Sequence, residues 1–232
     1  MQQTNQRSED SSLQTAPHTH TTHLRMHLAS RWTALLGILA SGILYLFLPE
    51  RFIIGPSWLL LVIEVVLMLP FVISLLTQHY LPHLAIRTLA LILLGIITLT
   101  LAIGIALLVS QLTNEKGQVL LRAAVLLWVF NILVFALWYF ELDGGGPLKR
   151  HLAGYKAADF LFPQQASETP HELWIPKFLD YVFLAFTTST ALSPTDTFPL
   201  TRRAKGLMMV EAVFSLVIIV LLAARAVNIL GS

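Results

Sequence analysis

Residues 186–201, FTTSTALSPTDTFPLT, combine side chains that could bind a hydrated cation. The stretch holds six Thr, two Ser and two Pro, and Asp196 is its one charged residue. Hydroxyl and carboxylate oxygens are ligands that pores offer to cations, and a ring of Asp side chains attracts them. The alternative is a surface turn, because Ser-Pro-Thr-Asp is ordinary turn composition and Asp often caps the segment that follows it.

The composition of the whole chain predicts an integral membrane protein. Of its 232 residues, 56% are hydrophobic and 12% are charged, with a mean hydropathy of +0.72, whereas a soluble domain carries about 25% charged residues. The formal net charge of +2 provides no basic surface for nucleic acid. The absence of Cys excludes disulfides and thiolate chemistry. Since no metalloprotease or hydrolase motif occurs, we expect neither an enzyme nor a bound cofactor or metal.

Five apolar runs predict transmembrane helices, because the hydrocarbon core requires about 20 apolar residues in a helix. We therefore expect an all-α protein that crosses a cell membrane, the inner or plasma membrane, several times. Trp32, Trp58 and Trp138 fall at the ends of runs, where aromatic side chains meet the headgroups. The five runs are 32–49, 57–76, 85–112, 119–142 and about 204–230.

A sixth apolar run, residues 177–189, is too short to cross. Its length of about 13 residues is typical of a buried or re-entrant helix. Irregular backbone at membrane depth is tolerated only where protein or water covers it. We therefore predict a re-entrant half-helix between the last two spans. The predicted units are a disordered polar tail over 1–28, a three-helix membrane domain over 29–112 and a pore-like module over 113–232.

The linker after the fourth run begins with three glycines, Gly144–Gly146, followed by a proline. Glycines at this place usually end a helix in a left-handed turn, and we favour that interpretation. The alternative is a nest of backbone N–H groups that binds an anion.

The stretch 186–201 resembles the pore loop of tetrameric potassium channels, which is approximately FVTLTTVGYGDITPVT. Without a gap, the agreeing positions are Phe186, Thr188, Thr190, Asp196, Pro199 and Thr201. The match continues into the channels' inner helix at Glu211, Ala212, Ala224, Arg225 and Val227. The resemblance implies an outer helix, a re-entrant loop and an inner helix, assembled in a homotetramer around a path for monovalent cations. The five-span layout also resembles uncharacterised bacterial membrane proteins with a degenerate pore loop, a likeness that implies no function.

The selectivity filter of those channels is replaced. Its Thr-Val-Gly-Tyr-Gly positions hold Ala191, Leu192, Ser193, Pro194 and Thr195. Glycines permit the backbone angles that aim filter carbonyls at the ion, and these residues resist them. We expect a hydroxyl-lined, weakly selective cation constriction with Asp196 at its mouth. The alternative is a non-conducting scaffold or sensor that kept the pore fold.

Two carboxyl groups and one hydroxyl inside predicted spans are further candidates. Glu64 lies mid-span and is either a proton or gating site or the partner of a polar group on a neighbouring helix. For Glu211 we favour a structural hydrogen bond behind the pore loop over contact with an ion. Ser215 stands where the inner helix of the channels often has a hinge glycine.

The basic residues divide unevenly between the two sides of the predicted membrane. Five spans place Arg51, Lys116, Arg122 and Arg225 on one side and the other 11 of the 15 Lys and Arg on the side of the N-terminus. The richer side is usually cytoplasmic. The re-entrant segment would then enter from the cytoplasm, which is opposite to its direction in potassium channels.

Overall fold

The apolar runs form helices in a computed structural model of the chain, which describes residues 18–77, 83–166, 174–190 and 196–230. Short 3₁₀ turns lie at Glu50–Phe52 and Asp143–Gly145, and two short strands, Phe160–Leu161 and Phe198–Pro199, pair in antiparallel register with Phe160 opposite Pro199. The elements in chain order are α1 (His18–Leu46), α2 (Trp58–Thr77), α3 (His83–Ser110), α4 (Gly117–Leu142), α5 (Pro147–Leu152), β1 (Phe160–Leu161), α6 (Pro163–Ala166), α7 (Phe178–Thr190), β2 (Phe198–Pro199) and α8 (Arg202–Leu230).

Three segments of the described chain are long and apolar enough to cross a membrane. They are Arg87–Ser110 in α3, Gly117–Gly145, which contains α4, and Arg202–Val227 in α8. Shorter apolar stretches occur in α1, at Trp32–Leu46, and in α2, at Trp58–Pro70, where only described residues are counted. The prediction of a helical membrane protein is confirmed in this coarse form.

The first helix begins earlier than the sequence pattern suggested. α1 starts at His18, so residues 18–28, which we assigned to a disordered tail, are helical in the structure. Once packing has nucleated a helix, each further residue adds a hydrogen bond, which accounts for its extension into a polar segment. Residues 1–17 of the predicted tail lie outside the described part of the chain.

The centre of the structure is α4, which packs against α1, α3, α7 and α8. Its buried side chains lie on several faces of the helix and include Leu127, Phe130, Val134 and Phe135. A helix that is apolar all round belongs in the interior of a bundle. The candidate residues of α7 and α8 are therefore positioned by the contacts of these two helices with α4.

Candidate functional site

The short helix α7 lies where the sequence predicted a half-helix. Its 13 residues correspond to about 20 Å of helix, against a hydrocarbon core of about 30 Å. It packs against α4 and α8, and Phe178, Tyr181, Leu184 and Ala185 are buried. The backbone N–H of Lys177 donates to Oδ2 of Asp180 at 2.7 Å, which caps the beginning of the helix.

The C-terminal end of α7 is held against α8 by one buried hydrogen bond. The Ser215 hydroxyl donates to the carbonyl oxygen of Ser189 at 2.6 Å, and both residues are buried. Ser215 is 13 positions after Arg202, the first residue of α8, which places it about 20 Å along that helix. The hinge position of the channel resemblance is therefore occupied by a side chain that fixes the end of the short helix.

The hydroxyl donors of α7 bond to the preceding turn of the same helix. Thr188 Oγ1 donates to the carbonyl of Leu184 at 2.8 Å. Thr190 Oγ1 lies 3.1 Å from the carbonyl oxygen of Phe186 and 3.2 Å from that of Thr187. This i−3 or i−4 pattern leaves the lone pairs of the hydroxyl oxygens as acceptors. Of the predicted filter positions, 191–195 lie outside the described residues.

Asp196 is exposed and lies beside α7. Together with Asp180 and Thr197 it lines an open groove of about 630 Å³, whose apolar wall includes Phe183 and Phe186. The structure thus brings Asp196 close to α7, in a groove that Ile132 of α4 also lines.

Glu211 is completely buried on the side of α8 that faces α4. The Tyr139 hydroxyl donates to Oε2 of Glu211, whereas Oε1 has no hydrogen-bond partner. The Thr188 hydroxyl is also within hydrogen-bonding reach of Tyr139. Glu211 therefore takes part in a buried hydrogen bond between α8 and α4.

Glu64 is buried between α1 and α2. Its Oε1 hydrogen-bonds with the Ser41 hydroxyl at 2.9 Å, and Ser41 also lies 2.6 Å from the carbonyl oxygen of Ile38. A Cβ on Gly42 would clash with Oε2 of Glu64, so the glycine makes room for the carboxyl group. Of the two interpretations of Glu64, the structure contains the polar pairing with a neighbouring helix.

A buried set of polar residues at one end of the bundle was missed by the sequence analysis. We call Asp143, Arg150, Asp159, Tyr181 and Thr201 the charged junction. Oδ1 of Asp143 accepts from the backbone N–H groups of Asp159 at 3.0 Å and Phe160 at 3.3 Å. Its Oδ2 accepts from the Tyr181 hydroxyl at 2.6 Å. Both oxygens of this carboxylate are therefore partnered, which is what burial of a charge requires.

Arg150 closes the C-terminal end of α4. Its Nη1 donates to the carbonyl oxygens of Phe140 at 2.6 Å and Asp143 at 2.7 Å, and lies 4.0 Å from Oδ2 of Asp143. The guanidinium carbon is 4.9 Å from the ring centre of Phe140 and 5.3 Å from that of Tyr181. A cation at a helix C-terminus is favoured because the last carbonyl groups have no partners in the helix.

Asp159 connects the glycine turn to the beginning of α8. Its Oδ2 accepts from the Gly144 N–H at 2.9 Å and its Oδ1 from the Thr201 hydroxyl at 2.6 Å. Thr201 Oγ1 in turn accepts from the Ala204 N–H at 3.2 Å. The glycines have φ values of +59°, +77° and +103°, so they form the left-handed helix stop that we favoured. The alternative was that the backbone N–H groups of the glycines bind an external anion. In the structure the N–H of Gly144 instead donates to the carboxylate of Asp159.

One sequence signal could have found the junction. An Asp directly before a glycine run, with an Arg soon after it, is the pattern of a helix end whose last carbonyls are bonded by a returning basic side chain. The sequence did not show that Asp159 and Tyr181 lie beside Asp143 in the folded chain.

The described basic residues separate toward the two ends of the bundle. α4 ends and α8 begins at the charged junction, whereas Arg51 pairs with Glu115 and Arg122 donates to the Phe47 carbonyl at the opposite end. The residues on the junction side are Arg87, Lys149, Arg150, Lys156, Lys177, Arg202, Arg203 and Lys205. We call this side the basic end.

No protein-family model, curated protein or solved structure matches the chain. Among the described residues no group of three or more His, Asp or Glu could hold a metal ion. Chemically, the site offers the C-terminus of α7 with its hydroxyl oxygens, and the exposed carboxylate of Asp196 beside Asp180, Phe183 and Phe186 of the same helix.

Proposed function

We propose that the protein is a channel-like membrane protein and forms a weakly selective pore for monovalent cations as a homotetramer. In this proposal α1 to α4 and α8 cross the bilayer, and α7 enters it as a half-helix. The observation that carries the proposal is the position of the end of α7. The Ser215–Ser189 hydrogen bond holds the end of α7 about halfway along α8. If α8 crosses the bilayer, the unpaired carbonyl groups at this helix end lie at membrane depth, where they require cover by protein or water.

The electrostatics of α7 favour a cation at this end. A helix C-terminus carries a partial negative charge of about half an elementary charge. Thr188 and Thr190 contribute hydroxyl lone pairs there, and exposed Asp196 adds a formal negative charge beside the same helix. Four copies around an axis would combine these groups into rings, which is the arrangement that attracts cations in pores.

Weak selectivity follows from the replaced filter. Ala191 to Thr195 contain no glycine, so the backbone cannot form the stack of inward carbonyls that replaces the water shell of potassium. A constriction that cannot strip the water shell passes small hydrated cations with little preference among them.

The second candidate is a non-conducting scaffold or sensor with the same fold. Two observations favour it. The donors of Thr187 to Thr190 are bonded within α7, and α7 begins at the basic end, where Lys177, Arg202 and Arg203 would oppose the entry of cations.

Ion flux into proteoliposomes decides between the two candidates. The purified protein is reconstituted, its oligomeric state is measured by native mass spectrometry, and potassium, sodium and chloride are tested in turn. We expect flux of both cations at similar rates, and Asp196→Asn to lower it several-fold. The matched control is Glu50→Gln, which removes an exposed acid at the opposite end. A folded tetramer without flux of any ion would contradict the pore and support the scaffold.

A further inference from the structure

Two cationic side chains from different helices converge on the glycine turn at the basic end. A Cβ on Gly145 would lie 3.6 Å from Nη1 of Arg87, in α3, and 3.8 Å from Nζ of Lys149, in α5. Both nitrogens are thus within 4 Å of one point and at most 8 Å apart. Two cationic donors within this distance of each other can bind the oxygens of one anion, since a charge-assisted hydrogen bond is about 2.7–2.9 Å long.

This pair of cations is not compensated within the described part of the chain. No hydrogen bond or ion pair there involves either side chain, and Nε of Arg87 is buried without a partner. The carboxylate of Glu141 is nearby, because its Oε1 would be 3.1 Å from a Cβ on Gly146, and it has an interaction of its own. Arg150, a few residues away, shows the contrast, because backbone carbonyls accept its hydrogen bonds. Two like charges so close repel each other, and an anion between them removes that cost.

The pair stands at the boundary between the apolar helices and water. Arg87 lies in the second turn of α3, which begins at His83, and the segment that contains α4 ends at Gly145. The first turns of α3 and the end of this segment meet, because Arg87 Nη1 would lie 3.6 Å from a Cβ on Gly145. In a bilayer that both helices cross, such helix ends lie at the level of the headgroups. Arg presents a planar fork of N–H donors that matches phosphate oxygens, and Lys adds a point charge. Basic pockets between transmembrane helices bind anionic headgroups in this way.

We propose that Arg87 and Lys149 bind the headgroup phosphate of an anionic phospholipid at the basic end. The site is separate from α7 and does not depend on whether the protein conducts. A headgroup without an ammonium is preferred, because a second cation would be repelled by the pair. The lipid would connect the beginning of α3 to the turn after α4.

The test is lipid retention by the purified full chain in a neutral detergent. Phosphatidylglycerol and phosphatidylcholine are titrated in turn, and bound lipid is counted by native mass spectrometry. We expect phosphatidylglycerol to bind, and Arg87→Gln/Lys149→Gln to weaken it about 30-fold, since each basic residue near a membrane surface contributes about a factor of five. Lys149 is exposed, so Lys149→Gln alone is expected to fold normally and to weaken binding about fivefold.

The matched control keeps the net charge of the double variant but leaves the pair intact. Arg202→Gln/Lys205→Gln removes two exposed cations from the same end, and we expect it to retain most of the binding. Equal loss in the control, or full binding by both the single and the double variant, would overturn the proposal. Inorganic phosphate and glycerol 3-phosphate form the last arm. If either binds at micromolar concentration and is lost in the variant, the site belongs to a soluble phosphate and the lipid assignment is wrong.

Discussion

Buried carboxyl groups have different numbers of hydrogen-bond partners in the charged junction and inside the helices. Asp143 and Asp159 have partners on both oxygens, and most of these partners are backbone N–H groups or hydroxyls of irregular segments. Glu64 and Glu211 each have one hydroxyl partner, from Ser41 and Tyr139, and one oxygen without a partner.

The difference follows from where backbone donors are available. Within a helix every interior N–H already donates to the carbonyl four residues earlier, so a carboxyl group there can be satisfied only by a side chain from another helix. At the junction the chain turns through glycines and short strands, whose N–H groups point outward from the backbone. Irregular segments can therefore hold a buried charge, whereas regular helices hold a carboxyl group with fewer partners.

The largest expected effect is at Arg150. Arg150→Met removes the cation and leaves the last carbonyls of α4 and the Asp143 carboxylate buried with fewer partners. We expect the free energy of unfolding to fall by about 3–5 kcal/mol. Chemical denaturation in detergent micelles measures the change. The double variant Asp143→Asn/Arg150→Met should lose less than the sum of the single variants; strict additivity would mean that the two residues do not act together.

The second effect concerns the space that Gly42 leaves for Glu64. Gly42→Ala places a Cβ against Oε2 of Glu64 and should destabilise the protein by about 1–3 kcal/mol, as overpacking does. The matched control is Gly95→Ala, because a Cβ there meets nothing within 4 Å. In α3 this control should be neutral or stabilise by up to about 1 kcal/mol through helix propensity. Equal thermal shifts in the two variants would show that α1 and α2 do not pack through this glycine.

The third effect concerns the hydrogen bond between Tyr139 and Glu211, which lies outside the charged junction. Tyr139→Phe removes the single hydrogen bond of Glu211 and should cost about 1–3 kcal/mol, the penalty for a buried polar group without a partner. Adding Glu211→Leu should recover part of that loss, because no polar group then remains without a partner. A double variant less stable than Tyr139→Phe would argue that Glu211 has a partner besides Tyr139.

The smallest effect on stability is expected at Ser215. Ser215→Ala removes one hydrogen bond between helices, worth about 0.6 kcal/mol on average in membrane proteins. Its effect on ion flux should be larger in proportion, since this bond positions the end of α7. The control is Ser110→Ala, an exposed hydroxyl at the far end of α3. Unchanged flux and ion preference in Ser215→Ala would remove Ser215 from the positioning of the pore.

The length of the apolar runs was enough to predict the long helices α2, α3, α4 and α8, and α7 within one residue at each end, whereas the short helices α5 and α6 and the two strands were not predicted. This works because an apolar run in a membrane protein has few alternatives to a helix, since each backbone N–H must find a partner inside its own segment. The start of α1 could not be predicted in the same way. Residues 18–31 are mostly polar, and their helix continues from packed turns that follow in the chain.

The sequence by itself determined that this is a helical membrane protein, where its apolar helices lie, and that Gly144–Gly146 end one of them. Only the tertiary structure decided which polar residues meet. Asp143, Asp159 and Tyr181 are distant in sequence and carry no common motif, yet the turns after α4 bring them within hydrogen-bonding distance. Likewise the Glu64–Ser41 and Glu211–Tyr139 contacts depend on the rotation of each helix about its axis, which is set by packing against α4 and α1. Local patterns determine elements because their hydrogen bonds are local, whereas partners for buried polar groups come from whichever element is packed beside them.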